Sequence, residues 1–562
     1  MRLGWLLRAW PPGCWVHDVS HFPRPVTRFW AEVFPRHFGA GYRVGARRCA
    51  LLVDRFEWRP VRRYLYAAPV PIGAPRLAAA GRPPAIALRL YGRVHPELRR
   101  RLVASETVLE RKPWRDDLAF WDREAKPAAI RRQRELIATR LEDLDTGGLI
   151  DHLDGCEENL RRMLEIHGEL TLSSTLAVGD FAARASELVD LPEERLLGLL
   201  RGATPLSVAS DELRLLLERL REDPGAAAVL EEGDPTTAID RLGEWDDAVG
   251  EAARAYLDLA GQQLVGGYDI AERRGVEVPE QIVAGLRAAL ARGDARQGPA
   301  GSVFEEVRAA IPDRHRQEVD DLVTEARLGY RLREERSLYG QSWAGGIMRR
   351  AVLEAGSRLA RARRVHDAEH AVETSSRELR RLLSGRRGPS ADELRLRFEE
   401  RLDAGVAAPP ATLGPRSAGA PVDRLPPGAR RAAAAGDASY RAIFDPDDVE
   451  PRDPERVTGR GVSTGLYEGR ARLIAGPADF GRLERGDVLV TVSTSASFNV
   501  VLPLLGAVVT DRGGALSHAA IVAREYGIPG VVGCRDATHR LTDGARVRVS
   551  GDEGYVEQLD AP

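Results

Sequence analysis

The sequence has 562 residues, enough for three or four domains at about 150 residues each. Its 82 Lys and Arg residues and 84 Asp and Glu residues leave a formal net charge of -2 at pH 7. This balance argues against a chain built to bind nucleic acid or to lie on an acidic membrane surface. The four cysteines are far apart and form no Cys-x-x-Cys pair, which argues against a disulfide framework and a cysteine zinc site.

The sequence predicts neither a membrane-spanning segment nor a nucleotide-binding loop. No apolar stretch is long enough to span a bilayer, and the N-terminus lacks the pattern of a signal peptide, so we expect a cytoplasmic protein. Lys112 and Lys126 are the two lysines, and neither lies in a glycine-rich loop. Because a phosphate-binding loop of the Walker type needs a lysine, the chain is not expected to contain one.

Residues 1–385 are predicted to form one unit that is largely helical. In its middle, four leucines recur at helical spacing and predict one buried stripe: Leu213, Leu216, Leu217 and Leu220. The first hundred residues are rich in tryptophan and proline, and their short apolar runs leave helix and strand open.

Residues 386–456 are rich in Pro, Gly, Ala and Asp, with little apolar periodicity. This composition predicts a linker with room for one short helix. A flexible chain of this length reaches roughly 45 Å, which would let a terminal domain move between sites.

Residues 457–562 are predicted to form a compact α/β domain. Short β-branched runs predict six strands, GRARLI, DVLVT, AVVT, PGVVG, ARVRVS and GYVEQL, and two segments predict helices, ASFNVVLPLLG and HAAIVAREYG. The whole chain is therefore predicted to be multidomain: a mostly helical N-terminal and middle region, then an α/β domain.

The segment with the clearest chemistry follows the predicted strand AVVT. Gly513 and Gly514 allow a tight loop, Ser517 comes next, and His518 opens a helix. Helix N-termini bind anions, so a phosphoryl group on the imidazole would lie among free N–H groups and the Ser517 hydroxyl. A histidine that merely caps a loop is the alternative interpretation.

The stretch TDRGGALSHAAIVAREYGIPGVVG resembles the swivelling phosphohistidine domain shared by phosphoenolpyruvate synthase, pyruvate phosphate dikinase and rifamycin phosphotransferase. The resemblance covers about residues 457–560 and implies that His518 carries the phosphoryl group, with Gly513, Gly514 and Ser517 as phosphate-binding residues. Residues 493–499, STSASFN, depart from the family, which usually has a turn with Thr or Asp before Pro there.

Residues 1–385 resemble, more weakly, the helical acceptor domain of rifamycin phosphotransferase. Similar pieces are HFPRP at 21–25, a segment at 256–270 and GYRLRE at 329–334. The layout is that of this enzyme without its ATP-grasp domain, and without the barrel of the phosphoenolpyruvate enzymes. It implies a separate ATP-grasp protein that binds ATP and Mg²⁺, and a small, bulky or apolar organic acceptor with a hydroxyl group.

The resemblance also implies site residues in the helical domain. Arg333 and Glu334 match an Arg-Glu pair that faces the phosphohistidine, with Ser337 where relatives have lysine and Arg336 beside it as a further phosphate-binding residue. Arg333 would neutralise the phosphoryl group and Glu334 would take the proton of the acceptor. The alternative is a solvated helix face with ion pairs.

His21 and Arg24, in HFPRP, are predicted to border the acceptor pocket; the alternative is a rigid turn that packs on the helices.

Three other functions remain open at this stage. The chain could be the phosphocarrier subunit of a phosphoenolpyruvate- or phenylphosphate-forming assembly, or a non-catalytic binding module regulated by phosphorylation. His366–His370 matches the H-x-x-E-H pattern of some zinc proteases, but its surroundings are those of an ordinary charged helix and no metal site is predicted.

Overall fold

The structure is a computed structural model. It describes residues 14–19, 21–72, 85–191, 193–200, 211–245, 247–292, 305, 307–404, 409–414, 422–444, 456–494, 498 and 501–559. The described residues up to 444 form a helical body, and those from 456 onwards form a C-terminal α/β domain packed against it. The predicted fold class is confirmed. None of the helices in these ranges is both long enough and apolar enough to cross a membrane.

The helical body is organised around one long central helix, Thr146–Leu188, which Asp145 caps by accepting from the Gly148 N–H. Glycines let neighbouring helices approach its backbone: a Cβ on Gly168 would lie 2.3 Å from the Phe38 carbonyl oxygen. The helices that contact the central helix are Arg28–Arg48, Pro113–Phe120, Lys126–Ala138, Glu193–Leu197, Asp313–Arg336, Trp343–Arg361, Ser376–Leu383 and Pro427–Phe444. The remaining helices of the body are Ala85–Val94, Pro96–Ser105, Val108–Arg111, Asp211–Glu222, Pro224–Glu232, Pro235–Gly243, Ala248–Tyr256, Pro279–Arg292 and Ala391–Ala404.

The predicted leucine stripe is confirmed in part. In the helix Asp211–Glu222, Leu216, Leu217 and Leu220 are buried against the neighbouring short helices, while Leu213 is partly buried at the edge of their cluster.

The N-terminal segment that the sequence left open forms a small sheet. It consists of β1 (Trp15–His17), β2 (Val53–Val61), β3 (Tyr64–Pro71) and a strand from much later in the chain, Thr412–Leu413, which is β6 in chain order. The strands lie in the order β2, β3, β1, β6, and all neighbours are antiparallel. A second pair, β4 (Leu264–Val265) and β5 (Arg273–Arg274), lies in the loop between two helices.

The linker predicted across 386–456 is corrected by the structure. It contains the helices Ala391–Ala404 and Pro427–Phe444 and the strand β6, all part of the helical body. The second helix lies on the central helix, with the Ser439 hydroxyl donating to the Thr175 carbonyl at 2.5 Å and Arg431 paired with Asp180 at 2.8 Å. Its alanine-rich composition resembles a linker, but small side chains also permit close helix packing.

The C-terminal domain contains one eight-stranded sheet. Its strands are β7 (Val457–Thr458), β8 (Arg460–Ser463), β9 (Leu466–Leu473), β10 (Val488–Thr491), β11 (Ala507–Thr510), β12 (Gly530–Val532), β13 (Arg546–Ser550) and β14 (Tyr555–Gln558). Their order is β7, β14, β13, β9, β10, β11, β12, β8, and the four central strands from β9 to β12 are parallel. All six predicted strands are present, and β7 and β8 are additional.

One of the two helices predicted in this domain is confirmed. The helix His518–Tyr526 ends at Gly527, whose φ of 63° is left-handed; the short helix Ala537–Arg540 follows later. The other prediction, residues 496–506, lies partly outside the described residues, and its described part forms only a short 3-10 turn, Leu502–Leu504, with Pro503 inside it. Proline cannot donate the backbone hydrogen bond that a longer helix would need there.

An apolar cluster joins the two parts of the molecule. Phe181 and Tyr330 of the helical body belong to the same buried cluster as Phe480, Leu516 and Ala519 of the C-terminal domain. The C-terminal domain is therefore docked with its histidine helix facing the helical body.

Candidate active site

His518 is the first residue of its helix and lies where the C-terminal domain meets the helical body. Ser517 caps this helix, because its hydroxyl accepts from the Ala520 N–H at 3.4 Å. On the other side of the imidazole, Thr494 Oγ1 lies 3.0 Å from His518 Nδ1. This hydrogen bond engages Nδ1 and fixes the orientation of the ring.

The parallel strands bring these two residues together. β10 and β11 are in register, with Thr491 opposite Thr510, so the segments after them leave the same edge of the sheet. Gly513 has a φ of 117°, and a Cβ there would lie 2.8 Å from the Ser517 side chain. Only glycine therefore fits this turn without strain.

His518 opens onto a cleft between the two parts of the molecule that encloses about 700 Å³ of space continuous with solvent. The helical body contributes His21, His167, Tyr268, Arg333, Glu334, Arg336 and Ser337. The C-terminal domain contributes Ser493, Thr494, Arg512, Ser517, His518 and Ala519.

Arg333 links the two sides of the cleft. Its Nη1 donates to the Leu516 carbonyl, two residues before His518, at 2.9 Å, and its Nε lies 3.9 Å from Glu334 Oε1. Arg336 is 4% exposed and donates to the His167 carbonyl at 2.7 Å and to Thr171 Oγ1 at 2.8 Å. The structure thus places the sequence-predicted residues Arg333, Glu334 and Arg336 beside His518.

Burial keeps His518 and His167 in the neutral form. Burial, with the charge of Arg333 added, lowers the pKa of His518 to about 3, and burial also lowers the pKa of His167 well below its ordinary value. Burial and the neighbouring Arg333 lower the pKa of Arg336 to about 9. Burial raises the pKa of Glu334, against the opposite effect of Arg333 and Arg336.

The low pKa of His518 predicts an unusual pH profile for chemical phosphorylation. We compare the rate at which phosphoramidate phosphorylates His518 with the rate at which it phosphorylates N-acetylhistidine. The ratio of the two rates is expected to rise about tenfold when the pH is lowered from 7.5 to 5.5. The reason is that an imidazole of ordinary pKa, about 6.5, loses its neutral form over this range while His518 stays neutral. The measurement is peptide mass spectrometry of the His518 adduct, and parallel profiles for the two imidazoles would contradict the prediction.

His21 enters the cleft from the N-terminal segment, backed by a buried carboxylate. His21 Nδ1 lies 2.7 Å from Asp18 Oδ1, and the Trp58 indole N–H donates to Asp18 Oδ2 at 3.1 Å. Burial alone would raise the pKa of Asp18, but the charge and hydrogen bond of His21 and the bond from Trp58 lower it below its ordinary value. Asp18 is therefore held as a carboxylate behind the imidazole.

Three predicted site residues lie away from the surface of the cleft. Arg24 pairs with Glu272 at 2.6 Å and donates to the Gly266 carbonyl at 3.4 Å, so its guanidinium is engaged beside the cleft. Gly513 and Gly514 are buried and shape the turn before Ser517.

Sequence reasoning missed several cleft residues, of which Thr494 is closest to the chemistry. The sequence contained one indication of Thr494: it is a hydroxyl residue shortly after β10, and β10 was predicted as a strand of the same domain as β11, which leads to His518. The carboxyl ends of parallel strands meet at one edge of a sheet, so residues that follow them can lie together. His167 carried no comparable signal, since it comes from the helical body and approaches His518 only through the docking of the two parts.

The zinc interpretation of His366–His370 has no support in the geometry. The preceding helix ends at Arg361, and His370 lies in a separate 3-10 helix, Ala368–Glu373, so the two histidines do not share one α-helix. His366 instead pairs with Asp392 at 2.8 Å. Across the described ranges, no cluster of three or more His, Cys, Asp or Glu side chains has an arrangement that could hold a metal ion.

Comparisons with known proteins agree with this geometry. Residues 483–554 match the family model described as PEP-utilising enzyme, mobile domain, and residues 172–339 match that of the rifampicin phosphotransferase fourth domain. A rifampicin phosphotransferase of Streptomyces sviceus is 32% identical over 325 residues, which are 55% of this chain and 34% of that protein.

Two further relatives match over shorter stretches. A rifampicin phosphotransferase of Bacillus cereus is 46% identical over 105 residues, 19% of this chain and 12% of that protein. The phosphoenolpyruvate synthase of Escherichia coli is 46% identical over 101 residues, 17% of this chain and 13% of that protein. The chain thus spans about a third of the first relative's length and far less of the other two.

Residues 483–554 of the C-terminal domain are therefore similar to the mobile domain of the phosphoenolpyruvate-utilising enzymes. The match ahead of them is more specific, because residues 172–339 are similar to the fourth domain of the rifampicin phosphotransferases. The resemblance stated from the sequence is confirmed.

Proposed function

We propose that the chain is a phosphotransferase subunit in which His518 carries a phosphoryl group to a hydroxyl of an organic acceptor bound in the cleft. The observation that carries this proposal is the docking of the mobile domain, which holds His518 against Arg333 and Glu334. A histidine that only capped a helix would not need a cationic partner from another domain.

The side chains around His518 support a division of roles. Because Thr494 engages Nδ1, Nε2 is the nitrogen that takes the phosphoryl group. Arg333 neutralises the phosphoryl oxygens, and the N–H groups of the first helical turn and the Ser517 hydroxyl donate to them. Arg336, held by backbone and hydroxyl acceptors, supplies a second fixed positive charge.

The residues that line the cleft indicate what kind of acceptor it would bind. Most of its lining residues have polar side chains, and three of them, Arg333, Arg336 and Arg512, carry guanidinium groups. Such a lining favours an organic hydroxyl compound with additional hydrogen-bonding groups over a purely apolar one. Because the chain is similar to rifampicin phosphotransferases, rifampicin is a reasonable first probe.

The donor is proposed to be ATP with Mg²⁺ on a separate ATP-grasp protein. Both lysines of the chain are engaged by carboxylates on the helical body: Lys112 lies 2.7 Å from Glu325 and Lys126 lies 3.1 Å from Glu335. Neither is placed to cradle the phosphates of a nucleotide.

The test is the intact mass of the chain after incubation with ATP and Mg²⁺, with and without lysate of the native host. We expect an acid-labile phosphoryl adduct only with lysate, lost completely in His518→Ala and retained in His539→Ala, an exposed histidine of the same domain. An adduct on His518→Ala, or none on the wild type with ATP or phosphoenolpyruvate, would overturn the carrier role. An adduct with ATP alone would overturn the separate donor protein.

A further inference from the structure

We propose that His21, oriented by Asp18, is the general base that takes the proton of the acceptor hydroxyl. This inference rests on the proposed function and adds a catalytic residue to it. Glu334, the base that the sequence predicted, would instead act as the counter-charge of the arginines.

The first argument is the arrangement of His21, Asp18 and Trp58. The Asp18 carboxylate is 4% exposed, lies 2.7 Å from His21 Nδ1 and is anchored on its other oxygen by the Trp58 indole. A base whose second nitrogen is held by a buried carboxylate has a fixed orientation, and its protonated form is stabilised. Nε2 of His21 is then the atom that receives a proton.

The second argument is position. His21 and His518 line the same cleft from opposite sides, one from the helical body and one from the mobile domain. An acceptor oxygen between them can meet the phosphorus on one side and the imidazole of His21 on the other. The Tyr268 ring, with its centroid 6.1 Å from that of His21, packs against this imidazole from the side.

The third argument is charge, which favours His21 over Glu334 as the proton acceptor. Besides His21 and Asp18, the titratable and charged groups at the cleft are His167, Tyr268, Arg333, Glu334, Arg336, Arg512 and His518. Glu334 is the carboxylate among the cleft-lining residues, 3.9 Å from Arg333. Its protonation would leave the guanidinium groups without a counter-charge once the phosphorylated product departs, whereas a proton on His21 is balanced by Asp18.

The transfer step balances as follows. The acceptor oxygen forms the P–O bond while the P–Nε2 bond of phospho-His518 breaks, and its electron pair returns to Nε2. With a proton on Nδ1, donated to Thr494 Oγ1, His518 leaves as neutral imidazole. The hydroxyl proton of the acceptor moves to His21 Nε2 and is later released to solvent.

The experiment uses the full chain loaded on His518 with phosphoramidate, so that no donor protein is needed. Discharge to rifampicin, phenol, ethanol and water is followed by ³¹P NMR between pH 6 and 8.5. We expect loading to be unchanged in His21→Gln but its discharge to be about 100-fold slower than wild type.

A matched control is available elsewhere in the chain. His37 Nδ1 lies 2.8 Å from Glu165 Oε1, a similar His-carboxylate pair away from the cleft, and His37→Gln should discharge at the wild-type rate. Asp18→Asn should lower the rate at least tenfold with loading intact.

The outcomes separate this inference from the function it rests on. Transfer by His21→Gln at the wild-type rate overturns the base assignment and leaves the phosphotransferase proposal standing. A loaded wild-type chain that transfers its phosphoryl group to none of the three organic acceptors, and releases it only to water, overturns both.

Discussion

Replacing Arg333 with alanine is expected to lower the rate of phosphoryl transfer from His518 about 10²- to 10³-fold. The side chain lies beside Glu334 and donates to the carbonyl of Leu516, so the helical body holds this cation against the histidine loop. Removing a fixed donor from a site where negative charge must be stabilised typically has an effect of this size. The measurement is discharge of the phosphoramidate-loaded chain to the acceptors named above.

The same substitution should also be visible without any acceptor. The charge of Arg333 contributes to the low pKa of His518, so that pKa is expected to rise in Arg333→Ala, and the loading profile should shift to higher pH. Arg331→Ala is the control, because Arg331 belongs to the same helix but pairs with Asp122 at 2.6 Å and Glu335 at 2.7 Å. Equal effects of the two substitutions would show that Arg333 acts through helix stability alone.

Gly179→Ala is expected to destabilise the packing of the helix Pro427–Phe444 on the central helix by about 1–3 kcal/mol. A Cβ on Gly179 would lie 1.9 Å from the Ala435 carbonyl oxygen and 2.3 Å from Ser439 Oγ. Backbone cannot move aside as a flexible side chain can, so the two helices must separate. Hydrogen exchange of the amides of Pro427–Phe444 should accelerate.

Gly436→Ala is the matched control for this packing. A Cβ at Gly436 would meet Leu51 Cδ2 at 3.5 Å, an ordinary van der Waals contact. In a helix interior this change should be neutral or stabilising by about 0.5–1 kcal/mol. Unchanged protection in Gly179→Ala would mean that the segment does not dock on the central helix and that the sequence-predicted linker was correct there.

The mobile domain could be predicted from the sequence almost strand by strand. Its parallel core consists of short β-branched runs separated by turns, and His518 follows directly from the glycine turn after β11. Local patterns of this kind carry their own signal, since strand, turn and helix start are each specified by neighbouring residues.

The rest of the site depends on contacts that no local pattern contains. Thr494 and His21 are 24 and 497 positions from His518, and they reach the cleft through strand register and domain docking. The alanine-rich helix Pro427–Phe444 was missed for a related reason. Its small side chains give a weak apolar periodicity but a close fit to Gly179.

The apolar cluster between the C-terminal domain and the helical body would affect how fast this domain can be released. In the proposed cycle this domain must leave the helical body to collect each phosphoryl group. Each departure would expose to water part of the apolar cluster that includes Phe480 and Leu516. Wetting such a surface has a free-energy cost that grows with its area. Release from the helical body would then slow the proposed cycle, and a donor protein would have to compete with the helical body for this domain.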